Sequence, residues 1–416
     1  MRLFARRQDS RPSSEPRLGP SRSVDRPGRR ARWRARPEAE ALDSRLLMAS
    51  ANLGMTGASA SSALSSRVAQ VLEPYFDQDQ IPGISVSIVT DGQVALTQGY
   101  GLSNVKTGAP VEADTRFDIG SVTKTFTAIG VMLLYQESQG TSHPLNLNAP
   151  ISDYLKHTPS FKRPRKWDGV TTTELLNMTS GIGNGASNLP WQAHIKALAN
   201  RPLLFSPGTK TLYSDTNFDL LGELIEQRSG ESYGTFIQDQ ILDPLGMSQT
   251  QELGKSATVP NQAVGYDAAR RGSWPKAAIQ NGLQLYAAAG IVSTAQDMAT
   301  YMTALLSGRL LDPATYRLMW SSTPSPQFGV SPPSYVMRGL GWDTAINTSA
   351  GTTLVTKGGS IPGFISELIL SPTSDSGVFV SINTNPSGSR NASHLTALQV
   401  AEAVYDATQP VPLTGG

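Results

Sequence analysis

The sequence predicts an α+β fold: a five-stranded antiparallel sheet flanked by helices, with a mostly helical lobe inserted between its two halves. Three observations carry this. Alternating apolar residues mark two strands early in the chain, three further strand signals come only after residue 350, and the stretch from the end of the helix that follows Ser121 to about residue 310 reads as helix and loop. A sheet drawn from both ends of a chain has to close around what the middle forms.

Taken in order, Leu64, Val68, Val71, Leu72 and Tyr75 fall on one helical face, so ordered structure is expected to begin near Ser62. Ile84, Val86 and Ile88 alternate, Asp91-Gly92 supplies a tight turn, and Val94 and Leu96 return, which is the pattern of a hairpin. Phe126, Ile129, Met132 and Leu133 then recur at helical spacing in an apolar run that reads as a buried helix. A second stripe, Phe218, Leu221, Leu224 and Ile225, ends at Gly230. Strand signals return at Thr353 to Lys357, Phe364 to Leu370 and Val378 to Thr384, and Leu398, Ala401, Val404 and Tyr405 form a closing helical stripe. These apolar and aromatic residues are assigned to the core and to no chemistry.

The net charge of +2 averages two unlike parts. Residues 1 to 50 hold 13 arginines, no lysine and 6 acidic residues, a net of +7, which leaves 22 basic and 27 acidic residues for the rest. The body therefore carries no nucleic-acid footprint. The Arg-, Pro- and Ser-rich stretch has too little apolar periodicity to fold by itself. Within it, Arg36 to Ala49, with Asp43-Ser44-Arg45-Leu46-Leu47, resembles a short segment near the start of many exported bacterial surface proteins. Export to the periplasm or cell surface is expected on that ground alone. The run Leu46-Leu47-Met48 is much shorter than the core of an ordinary signal peptide, and no apolar stretch is long enough for a spanning helix. The chain has no cysteine, so disulfides and thiolate metal ligands are excluded.

The chemistry centres on Ser121-Val122-Thr123-Lys124, which opens the apolar run from Phe126 to Tyr135. A serine hydroxyl is a weak nucleophile at neutral pH, and a lysine one helical turn later lies on the same face and can handle its proton. Ser103 to Lys106 and Ser273 to Lys276 share the spacing, but the first runs into a turn and the second contains Pro275. Downstream lies Tyr213-Ser214-Asp215. A phenol acts as a general base only where cations lower its pKa, and two lysines in one site would do so. Asp215 stands directly before a helical stretch and reads equally as a helix cap or as a substrate contact. Third comes Lys357-Gly358-Gly359-Ser360 on a late strand, where glycines admit a substrate backbone and a lysine supplies positive charge.

In this order the three elements resemble the serine beta-lactamase-related family, which includes class C beta-lactamases, D-alanyl-D-alanine carboxypeptidases, D-aminopeptidases and esterases. The resemblance covers roughly residues 62 to 406 and is supported by Leu175 to Gly181, Gly290 to Met298 and Gly339-Leu340-Gly341-Trp342. It implies a beta-lactamase/transpeptidase-like fold over residues 61–410, behind a disordered segment over 1–60. It also implies Ser121 as nucleophile, Lys124 as its proton partner, Tyr213 as general base and Lys357 as electrostatic anchor. The backbone N–H groups of Ser121 and Ser360 would form the oxyanion hole, with Asp215, Gly358, Gly359 and Ser360 against substrate. No metal or cofactor is implied.

Two positions depart from the family pattern. Hydrolytic relatives mostly carry Asn where this chain has Asp215, and an amide can donate where a carboxylate only accepts. Gly358 removes the hydroxyl that helps bind a substrate carboxylate in Lys-Thr-Gly members. The expected activity is that of a D-alanyl-D-alanine carboxypeptidase or beta-lactamase-type amidase on cell-wall peptides. Short-chain ester hydrolysis is the alternative, and a non-catalytic binding or sensor protein of the same fold is the second. The partner expected is a small-molecule or peptide substrate. His143, His157, His194 and His394 lie in no motif and are read as surface or core histidines.

Overall fold

The computed structural model describes residues 56–77, 81–155, 167, 169–185, 189–199, 201–256, 258–267, 273–278, 280–330, 335–347, 352–385 and 397–408. The segment before residue 56, including the Arg-rich stretch, lies outside the described residues. Helix α1 (Thr56–Asp77) starts six residues ahead of the expected point. It leads into β1 (Gly83–Thr90) and β2 (Gln93–Asn104), joined by Asp91-Gly92 with both residues at positive φ, the geometry that matches the twist of a hairpin. Strand β3 (Ala109–Pro110) pairs with β2, and a 3-10 turn (Gly120–Val122) feeds α2 (Thr123–Ser138).

The middle of the chain supplies α3 (Asp215–Ser229), closed by Gly230 at φ 76°, then α4 (Gly282–Ala289) and α5 (Ala295–Leu306). It is not purely helix and loop: Ile291–Ser293 pairs with Phe117–Asp118 on one side and with Gln251–Glu252 on the other in a small separate sheet. Strands β4 (Thr323–Pro326), β5 (Tyr335–Arg338), β6 (Asp343–Asn347), β7 (Thr352–Ile361), β8 (Phe364–Ser371) and β9 (Ser376–Ile382) follow, and α6 (Ala397–Asp406) ends the domain.

One sheet runs β3-β2-β1-β9-β8-β7-β6-β5-β4, every neighbouring pair antiparallel. Its central strands β2, β1, β9, β8 and β7 are the five expected from sequence, and β3 and β4 to β6 extend it to nine. Pro324 and Pro326 disguise β4 as loop, yet β4 is the outermost strand, where a missing N–H breaks no ladder.

The sheet is covered on both faces, which is why β1 and β8 are buried almost residue by residue. Leu64, Val68 and Leu72 of α1 and Val400, Ala401 and Val404 of α6 pack on one face against Ile84, Val86, Ile88, Val378, Val380 and Ile382. Against the other face lies the larger core, in which Phe126, Ile129 and Met132 of α2 meet Leu368, Leu370 and Phe379 of the sheet. Helix α2 is buried on all sides from Thr123 to Leu133, as a helix with no polar face must be. Each of its large apolar side chains contributes about 1.5–3 kcal/mol by burial. The nucleophile candidate thus sits at the end of a helix held by the core.

Candidate active site

Ser121 lies in the 3-10 turn ahead of α2, and Lys124 follows inside the first turn of the helix. Three residues of helical rise bring the two side chains together, and Lys124 Nζ donates to Ser121 Oγ at 2.9 Å. Tyr213 arrives from 92 residues away and donates its hydroxyl to the same Oγ at 2.6 Å. The tyrosine is held by its neighbours: Leu212 N donates to Met178 O at 3.0 Å, and Asn184 Nδ2 donates to Tyr213 O at 3.4 Å.

Lys124 is fully buried and uses all three of its donors. Besides Ser121 Oγ they reach Asp215 Oδ1 at 2.7 Å and Ala288 O at 2.8 Å. Burial pulls this ammonium down, but Asp215 and Tyr213 beside it more than offset that and hold its pKa above the ordinary lysine value. A lysine with three committed N–H bonds and a carboxylate partner is a fixed cation and not a proton acceptor. Asp215 shows the converse: burial pushes its carboxyl up, and Lys124 pulls it further down, below the usual range. Ser214 occupies the N-cap position of α3 without a side-chain capping bond, and Asp215 is the first residue inside the helix. Its carboxylate goes to Lys124 and retains 46% of its surface open.

The carbonyl of Ala288 reaches Lys124 because α4 is kinked. Tyr286 has φ 36° and ψ −138°, a region that costs a residue with a Cβ about 1–3 kcal/mol. Stacking on Trp191 at 4.2 Å and a 2.9 Å hydrogen bond from its hydroxyl to Glu226 hold it there. The kink lets successive carbonyls serve α2, Ala287 O taking Thr127 Oγ1 at 2.7 Å and Ala288 O taking Lys124.

The third element, on β7, passes alongside the turn that carries Ser121. A Cβ at Gly359 would stand 2.2 Å from Ile119 O and 3.1 Å from Ser121 N, and one at Gly120 would stand 3.0 Å from Ser360 N. Only paired glycines let the two backbones come this close, and the N–H groups of Ser121 and Ser360 become neighbours. Ser360 Oγ is exposed and accepts from Asn385 Nδ2 at 2.9 Å. Side chains alternate across a strand, so Gly358 looks the other way, where a Cβ would meet Glu367 Oε2 at 2.7 Å. A hydroxyl-bearing residue at 358 would point at Glu367, in the layer under α1 and α6. Burial pushes the Glu367 carboxyl up to about 8.

Lys357 is 2% exposed, and its Nζ donates to Asp343 Oδ2 at 3.1 Å. Arg338 binds the other oxygen of Asp343. Burial pushes the Asp343 carboxyl up, and these two cations hold it below the usual range. Lys124 Nζ, Lys357 Nζ and Arg338 Cζ lie 4.9, 5.4 and 5.9 Å from the centre of the Tyr213 ring. Arg338 and Asp343 flank the Gly339-Leu340-Gly341-Trp342 stretch, but sequence spacing ties neither to Lys357. His194 is buried, 3.1 Å from Thr216 Oγ1 and 3.4 Å from Asp219, one turn of α3 beyond Asp215.

Ser121, Lys124, Tyr213, Asp215, Lys357, Gly359 and Ser360 are thus brought together, and Gly358 joins them through its backbone alone. A serine between a tyrosine and a fixed lysine, beside a two-glycine strand, on a sheet built from both chain ends, is the arrangement of a beta-lactamase/transpeptidase-like fold. A family model described as Beta-lactamase matches residues 68–403, and the chain belongs to that family. The protein flp of Staphylococcus aureus (strain N315) is 28% identical over 331 residues, which is 77% of this chain. The chain spans only 63% of the length of that relative. Among solved structures, the octameric penicillin-binding protein homologue from Pyrococcus abyssi superposes with a TM-score of 0.68 at 24% identity, over 82% of this chain and 76% of that one. A D-stereospecific amidohydrolase from Streptomyces sp. superposes with a TM-score of 0.65 at 25% identity, over 83% and 99%.

Proposed function

We propose that this protein is an amidohydrolase that cleaves short D-amino-acid amides or peptides through an acyl-enzyme on Ser121. The observation that carries the reading is the pair of contacts on one oxygen, Lys124 Nζ at 2.9 Å and Tyr213 OH at 2.6 Å. With Lys124 committed as a cation, Tyr213 is the group left for the serine proton: once its own hydroxyl proton has been released to solvent, its oxygen accepts from Ser121 Oγ while Oγ bonds to the substrate carbonyl carbon. The carbonyl oxygen becomes an oxyanion between the N–H groups of Ser121 and Ser360. As the tetrahedral centre collapses, the amine leaves with the proton that Tyr213 took. Water then attacks the acyl-Ser121 ester, gives its proton to Tyr213, and the carboxylic acid departs as the serine is reprotonated.

Similarity to the Streptomyces D-stereospecific amidohydrolase supports the substrate class. Ester cleavage is the second reading, and one observation favours it: the cation that a carboxypeptidase would turn to a terminal carboxylate, Lys357, is engaged by Asp343. The Arg-rich segment ahead of the domain fits delivery beyond the cytoplasm, which cell fractionation tests. For the activity itself, intact-mass analysis after treatment with a fluorophosphonate should find one adduct on Ser121. Ser121→Ala should lose both adduct and turnover while keeping its fold. Residual turnover within about tenfold of wild type, roughly 1.4 kcal/mol in barrier, rules Ser121 out as nucleophile.

A further inference from the structure

We infer that Asp343 is a specificity-determining residue: it occupies, from within the chain, the place where a substrate carboxylate would meet Lys357 and Arg338, and so directs the site to substrates whose leaving group is uncharged. The inference rests on the hydrolase reading of Ser121 and goes beyond it by naming what the leaving group may not carry.

The geometry places the three residues on the leaving-group side. Tyr213 OH, at 2.6 Å from Ser121 Oγ, is the group positioned to return a proton to the departing atom. Lys357 Nζ and Arg338 Cζ are 5.4 and 5.9 Å from the centre of that same ring. An acid group a few bonds beyond the departing atom would therefore arrive among these cations. Both already share a carboxylate of the chain itself, since Lys357 Nζ lies 3.1 Å from Asp343 Oδ2 and Arg338 binds Oδ1.

Accessibility points the same way. Of the three side chains, Lys357 keeps 3% of its surface open, Arg338 16% and Asp343 35%, so it is the carboxylate that an approaching molecule reaches first. On the Lys124 side the half-open side chain is again a carboxylate, Asp215. An incoming carboxylate meets like charge in Asp343 and must compete with it for Lys357 and Arg338. Asp343 stays ionised throughout the neutral range, so milder pH does not lift this exclusion.

The test uses two thioesters with the same N-acetyl-D-alanyl group, one releasing thioglycolate, which has a free carboxylate, and the other releasing its amide, thioglycolamide. Wild type should cleave the thioglycolamide ester with kcat/KM at least about tenfold higher. Asp343→Asn keeps the shape and a hydrogen bond to Lys357 but removes the charge. It should shift the ratio at least about tenfold towards the carboxylate-bearing ester, mainly through KM for that ester. Arg338→Gln leaves the Asp343–Lys357 pair in place and should shift the ratio the opposite way, which decides the matter even if Asp343→Asn folds poorly. A wild type that prefers the thioglycolate ester, or variants that leave the ratio within about twofold, overturn the inference. No turnover of either ester together with no fluorophosphonate adduct on Ser121 sinks the hydrolase reading, and this inference with it.

Discussion

Replacing Asp215 by Asn isolates the charge that keeps Lys124 protonated. The side chain keeps its size and one oxygen for Lys124 Nζ, 2.7 Å away, and loses only its charge. Two unit charges at that distance attract by about 6 kcal/mol at an effective dielectric constant of about 20. Asp215 is half open to water, so screening and the retained hydrogen bond bring the expected loss of stability to about 1–2 kcal/mol. The sign with pH follows from the two groups. The folded-state pKa of Asp215 is depressed, so its contribution is complete above the ordinary carboxylate value and is lost as pH falls through the depressed one. That of Lys124 is raised, so its share is complete below the ordinary lysine value and is lost only as pH rises through the raised one. Urea unfolding of wild type and variant should therefore show the gap in full at pH 7 and a gap that shrinks only as acid takes the pH below the ordinary carboxylate range. In the variant, buried Lys124 without its carboxylate should also lose its proton at lower pH, so the alkaline fall in activity moves down by about one pH unit or more. Equal stability at pH 7 within about 0.5 kcal/mol, or a gap that does not change with acid, refutes the assignment of Asp215 as the counter-charge of Lys124.

Tyr213→Phe keeps the ring among its three cations and removes only the hydroxyl on Ser121 Oγ, so kcat should fall by about 10²- to 10⁴-fold with KM little changed; steady-state kinetics with a kcat near wild type would remove Tyr213 from proton transfer. Glu367→Gln probes the layer beneath β7. The wild-type carboxyl, pushed up to about 8 by burial, keeps its proton in the folded state after the unfolded chain has released it. Stability of the wild type should therefore fall between about pH 4.5 and pH 8, by about 1.4 kcal/mol for each pH unit. Glu367→Gln should remove that slope and be the more stable protein above pH 8 in thermal melts at matched ionic strength; parallel pH profiles for the two proteins would show that Glu367 is ionised when folded.

The sequence by itself determined the elements whose signals are local. The Asp91-Gly92 hairpin, the late strands and the apolar face of α2 are written in side-chain periods of two and 3.6 residues. Ser121 and Lys124 meet because three residues of helical rise put them on one face, and the two glycines of Lys357-Gly358-Gly359-Ser360 read as a place of close backbone approach, though the structure shows that the approaching backbone includes the Ser121 turn itself. What faces the substrate was decided only by tertiary structure. Asp215 reads equally as a helix cap in sequence, and only the 91-residue return of the chain to α2 turns it into the partner of Lys124. Lys357 reads as a free anchor until β6 places Asp343 beside it, and Gly358 reads as a lost substrate contact until strand pairing directs it at Glu367. The kink at Tyr286, which brings Ala288 O to Lys124, has no signal in the residue itself, since a tyrosine does not favour positive φ. Periodicity and spacing report how a residue relates to its neighbours along the chain. Charge pairing and exposure depend on which distant segment the fold brings within a few ångströms, and in this protein those pairings set what the cleft will accept.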